Sequence, residues 1–264
     1  MAEQKIDTLR RIAHDIDPSI NLFEGYSPKK MNEKKGEILF WRQIVNIYGL
    51  FADCDRVQVK EKDNLVELFN RYDLIARSEY DDILKFWKDV SELRKWFCHN
   101  NDEKLFYPAS RKRRIKKYLN DAFLFASNKP TGIEEVSQND WNLLNFNIQS
   151  RFENYLQIVE KALKAWKISG DLSDLIDEWI NIQSKALFSD RELIQNALAE
   201  IAEYEKMNNG ISNMSASQLA NSYFRQLENG DFSDKNIACA MKNNSKIRSN
   251  KEIVQDAIRL SGII

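Results

Sequence analysis

The chain has 264 residues, of which 43% are hydrophobic, 30% charged and 11% aromatic, with a formal net charge of −1. That is the composition of a folded globular protein, long enough for two packed helical units or one bundle with a large extension, and it excludes a disordered chain. Eight Gly and four Pro supply too little turn chemistry for a hairpin-rich fold, so an all-α protein is expected.

Residues 1–33 read as an N-terminal helix over 4–16, ending before Asp17-Pro18, and an irregular connection marked by Gly25 and Pro28. From Lys34 to Ala52 apolar residues recur in two rows. One holds Ile38, Trp41, Val45, Tyr48 and Ala52, the other Phe40, Ile44, Ile47 and Phe51, which predicts a central helix apolar over a wide arc. Leu65, Leu68, Phe69, Tyr72 and Ile75 mark a third helix, and Tyr80, Ile83, Trp87, Val90 and Phe97 a fourth that stops near His99. Asn100, Asn101 and Asp102 follow, residues that favour caps and turns. After Pro108 and Ser110, Ile115, Tyr118, Leu119, Ala122 and Phe125 form one face of a fifth helix. The elements between residues 34 and 127 suffice for a compact bundle.

A linker is expected at 128–138, on Asn128, Pro130 and Gly132. Residues 139–264 then form a C-terminal helical domain. It opens on Trp141, Leu144, Ile148, Phe152, Tyr155, Val159, Leu163 and Trp166, at spacings of 3, 4, 4, 3, 4, 4 and 3, the mark of a long helix with one apolar seam. Shorter helices are expected at about 172–187, 190–206, 216–228, 233–241 and 250–261.

Several function classes have no support. No apolar run approaches the ~18 residues needed to span a bilayer, and the first residues lack the apolar stretch of a secretory signal. Cys54, Cys98 and Cys239 are odd in number and scattered, against a disulfide framework or a zinc site. No Gly-rich phosphate loop is present. The expectations are therefore no membrane, no metal or other cofactor, and a reducing cytoplasm.

The histidines are His14 and His99, which leaves any imidazole mechanism little choice. His14 sits in a short charged helix and reads as a surface residue. Five residues before His99 stands Arg94, at a point of the register Tyr80, Ile83, Trp87, Val90, Arg94, Phe97 where a hydrophobe is expected. Such breaks of local pattern are enriched at functional sites. Residues five apart on a regular helix are about 140° apart, so the two share a face only if the helix ends or distorts between them. The last turn would favour imidazolium through the helix dipole. Shortly after comes the densest basic run, with Arg111, Lys112, Arg113, Arg114, Lys116 and Lys117 in seven residues.

The stretch Arg94-Lys-Trp-Phe-Cys-His99 resembles the Arg-x4-6-His motif of the HEPN family, helical bundle proteins often found as RNA-cleaving toxins and antiviral effectors. The likeness covers roughly residues 34–126 at the level of helix order. Lys95 departs from it, since the residue after the Arg is commonly small and polar, such as Asn. The resemblance implies an N-terminal HEPN-like bundle, followed here by the C-terminal helical domain, and a metal-independent endoribonuclease with Arg94 and His99 as catalytic residues. Cleavage by 2′-hydroxyl attack needs a base, an acid and a cation, and one chain offers one usable His, so the implied site is composite, at the interface of a homodimer. Lys95, Arg111, Arg113, Arg114, Lys116 and Lys117 would hold RNA phosphates. A regulatory or antidote protein is a further expected partner. For Arg94 itself the structural reading is a snorkelling or ion-paired arginine at the core edge, with Glu92 or Asp89 nearby in sequence. The alternative for the whole chain is a non-catalytic interaction protein, whose seam from Trp141 to Trp166 binds a partner helix.

Overall fold

The structure, a computed structural model, describes residues 2–24, 26, 36–51, 65–98, 117, 138–169, 173–209, 214–243 and 248–262. Among them are ten helices and no strand, so the protein is all-α as its composition predicts. They are α1 (Ala2–Ile16), α2 (Glu37–Gly49), α3 (Leu65–Arg71), α4 (Arg77–Cys98), α5 (Gln138–Ser169), α6 (Ser173–Ser189), α7 (Arg191–Asn209), α8 (Ala216–Asn229), α9 (Asp234–Lys242) and α10 (Asn250–Leu260). The expected linker at 128–138, apart from Gln138, which begins α5, and most of the expected fifth helix lie outside the described residues.

The chain divides into two compact units, Met1–Asp7 with Tyr26–Lys164, and Thr8–Gly25 with Ala165–Ile264. Residues 139–164, expected with the C-terminal domain, are thus in the first unit. The reason is the seam of α5. All eight of its members are buried, from Trp141 at 5% exposure to Trp166 at 3%, and within the first unit Trp141 and Tyr155 meet aromatic residues of α2 and of the residues just after it. Trp141 lies 5.4 Å from Phe40 and 6.1 Å from Trp41, and Tyr155 lies 4.6 Å from Phe51, ring centre to ring centre. Early residues of α2 thus meet early residues of α5 and late meet late, so the two helices run in the same direction. α4 runs against both: Phe51 meets Phe86, Asp89 meets Arg151, and Glu79 meets Lys161.

The wide apolar arc of α2 proves to be divided. Phe40, Ile44, Ile47 and Phe51 are buried, as are Trp41 and Leu50, whereas Ile38 is 59% and Val45 42% exposed. One side of a helix can face α4 and α5 at once, and Ile38 and Val45 of the other row are left toward solvent.

Gly36 sets where α2 begins. Its N–H donates to Asn142 Oδ1 at 3.2 Å and its carbonyl accepts from the buried Asn145 Nδ2 at 2.8 Å. Its φ of 90° and ψ of −167° belong to a region that is essentially glycine-only. A Cβ there would stand 2.5 Å from Gln138 Nε2.

In the second unit α6, α7, α9 and α10 enclose a core that includes Ile180, Leu187, Ile201, Ile237, Met241 and Ile258. α9 packs on α6 and α10, and α7 on α8 and α10. The helix starts are chemically specified. Ser215 and Gln218 form a capping box on α8, Ser249 and Glu252 another on α10, and Asp190 Oδ1 accepts from Leu193 N at 3.0 Å ahead of α7. These side chains satisfy backbone donors that a helix terminus otherwise leaves open. No helix among the described residues is long and apolar enough to cross a membrane.

Candidate functional site

α4 presents Tyr80, Ile83, Trp87 and Val90 to the core, all buried, with Leu93 fully buried beside them. The same register delivers Arg94, half-buried, one helical step past Leu93. A guanidinium cannot enter that core without a compensating interaction, and among the described residues the one it finds is aromatic. Its central carbon lies 4.4 Å from the centroid of the Tyr48 ring on α2. Tyr48 in turn stacks on Trp87, at 5.3 Å and 23° between planes, and Trp87 packs against Phe51 at 5.1 Å. Arg94, Tyr48 and Trp87 therefore form a three-member stack that links the last turns of α4 to α2.

The carboxylates expected to hold Arg94 are engaged elsewhere. Asp89 Oδ2 accepts from Arg151 Nη1 of α5 at 2.9 Å, and Arg151 also lies over the Phe86 ring at 4.8 Å. Glu92 Oε1 is 3.7 Å from Lys95 Nζ, one turn along the same helix. Lys95, expected to hold phosphate, thus has a neighbouring negative charge. The interaction of Arg94 with a ring has chemical consequences. A ring face attracts the cation through its quadrupole without neutralising it, so the charge and the planar N–H fork remain suited to an incoming phosphate.

His99 lies outside the described residues, as do Arg111, Arg113, Arg114 and Lys116. Lys117 is helical and exposed. Of the expected set the structure describes Arg94, Lys95 and Lys117, and beside Arg94 it adds Tyr48, which the sequence pattern placed only in the wide apolar arc of α2. The one hint in the sequence was its place in the row of Ile38 and Val45, two residues that turn out to be exposed. The clearly shifted titrating groups of α4 stand at its other end, roughly 20 Å from Arg94 at 1.5 Å per residue. There a hydrogen bond from Lys161 holds Glu79 below the ordinary carboxylate value, and burial, with a hydrogen bond to Glu67, pushes Tyr80 up to about 12. Among the described residues no group of three or more His, Cys, Asp or Glu is placed to hold a metal ion.

The chain matches no protein-family model, no curated protein and no solved structure.

Proposed function

We propose that the protein is a metal-independent endoribonuclease of the HEPN kind, acting as a homodimer in toxin-like or antiviral defence. The observation that carries this reading is the state of Arg94: half-buried at the end of a bundle helix and held by a ring, while Asp89 and Glu92 face other cations. In the proposed reaction His99 of one copy takes the proton of a 2′-hydroxyl, whose oxygen attacks phosphorus. The P–O5′ bond breaks, and the second copy's imidazolium protonates the leaving 5′-oxygen. Arg94 stabilises the charged phosphorane between them. The products are a 2′,3′-cyclic phosphate and a 5′-hydroxyl, and the proton count balances with no metal. Basic residues from Arg111 to Lys117 supply sequence-independent phosphate contacts. An antidote or regulatory protein would restrain the activity.

The test is incubation of RNA with purified protein in excess chelator, beside folded His99→Ala and Arg94→Ala variants. Cyclic-phosphate ends made by the wild type and reduced at least ~100-fold in either variant are expected. RNA left intact by the wild type, or cut equally by the variants, would sink the assignment. A strict monomer at micromolar concentration would remove the composite site.

A second reading, a non-catalytic interaction protein, loses its original basis, because the seam from Trp141 to Trp166 is buried within the chain. That reading would place a partner instead at Tyr204 (61% exposed) and Met207 (82%), three residues apart on α7 and so on one face. Intact RNA in the assay would make it the leading reading.

A further inference from the structure

An arginine that stabilises a phosphorane must present its charge at a fixed place, yet its side chain carries about 2 kcal/mol of rotamer entropy when unrestrained. We propose that Tyr48 is a positioning residue that holds Arg94 for an RNA phosphate, an inference that rests on the endoribonuclease reading. Tyr48 and Arg94 are separated by 46 positions in the sequence and meet only because α2 and α4 pack together. Tyr48 is fixed by Trp87, itself buried at 9% exposure and locked against Phe51, so the platform under the guanidinium has little freedom.

The choice of a ring rather than a carboxylate is the informative part. A carboxylate would orient Arg94 equally well but would neutralise it and occupy two donors of its fork. The carboxylates near it in sequence are engaged with Arg151 and Lys95 instead. The stack thus orients the cation while leaving it chemically available, which lowers the cost of organising the site at the moment of reaction.

The experiment is RNA cleavage in chelator by the full-length wild type, Tyr48→Phe, Tyr48→Leu and Tyr48→Met, each confirmed folded by circular dichroism. Tyr48→Phe keeps the ring and should retain wild-type kcat. The two aliphatic variants should lose roughly 3- to 30-fold in kcat, the range of a cation–π contact expressed as rate, with KM changed less. Wild-type kcat in either folded aliphatic variant overturns the inference while leaving the endoribonuclease reading intact, and so does an equal loss in Tyr48→Phe and the aliphatic variants. An inert wild type overturns both. Ring-current shifts give a readout independent of cleavage. The Arg94 Hδ resonances, assigned through Arg94→Lys, should lie upfield in the wild type, and their appearance at ordinary positions would also overturn the inference.

Discussion

Asp89 and Arg151 offer the most direct test of how α4 assigns its charges. The Asp89 side chain is 10% exposed and that of Arg151 29%, with one contact of 2.9 Å between them. An exposed pair would be worth about 0.2–1 kcal/mol, and breaking a fully buried one costs about 3–5 kcal/mol. Here the pair is part-buried and the released guanidinium can reach water, so Asp89→Ala should destabilise by about 1–2 kcal/mol. A double-mutant cycle with Arg151→Met should return a coupling of about 1 kcal/mol, and the same cycle with Arg94→Met a coupling near zero, because the Arg94 guanidinium sits on Tyr48. Urea unfolding followed by tryptophan fluorescence resolves this, since 1 kcal/mol moves the midpoint by roughly 0.5 M at an m-value of about 2 kcal/mol/M. Coupling of Asp89 to Arg94 as strong as its coupling to Arg151 would refute the reasoning. Arg94 would then be an ion-paired structural arginine, and the main support for the proposed activity would be gone.

Two further outcomes follow from the helix ends and the charge network. Gly36→Ala should lower stability by about 1–3 kcal/mol in thermal or urea unfolding, since a side chain is forced into a glycine-only backbone region; a change under about 0.5 kcal/mol would show that the α2 start is not held as described. Stability should also fall in acid. Glu79 and Glu160, held low chiefly by hydrogen bonds from Lys161 and Lys164, and Glu252, held low by the Ser249 backbone N–H, bind fewer protons folded than unfolded below their ordinary value of 4.5. Their contribution is complete above pH 4.5 and is lost as pH falls through the lowered values. Glu79→Gln should therefore flatten the decline of the unfolding midpoint below pH 4.5, and an unchanged slope would contradict the Lys161 contact.

Helix positions were legible because helix formation is periodic and locally punctuated. The five shorter C-terminal helices expected from the sequence occur as α6 to α10, within a few residues at each end, and Ser215 and Ser249 cap α8 and α10. The 3-and-4 spacing from Trp141 to Trp166 identified α5 and its buried face. It did not identify which side of the chain that face would join, and the linker signal at Pro130 and Gly132 suggested a boundary ahead of α5, whereas the division between units falls between Lys164 and Ala165. An apolar seam states only that something covers it.

The candidate site divides the same way. The sequence by itself determined that a cation, Arg94, stands where α4 calls for a hydrophobe, because that is a matter of register within one helix. Which group would receive the cation was decided by tertiary structure alone. Asp89 and Glu92 are near in sequence, yet Arg151 and Lys95 face them, and the ring under Arg94 arrives from α2. Local spacing places a side chain on a face, but a half-buried charge is stabilised by whatever the neighbouring helix brings within about 4–6 Å, and that neighbour is chosen by the packing of the whole unit.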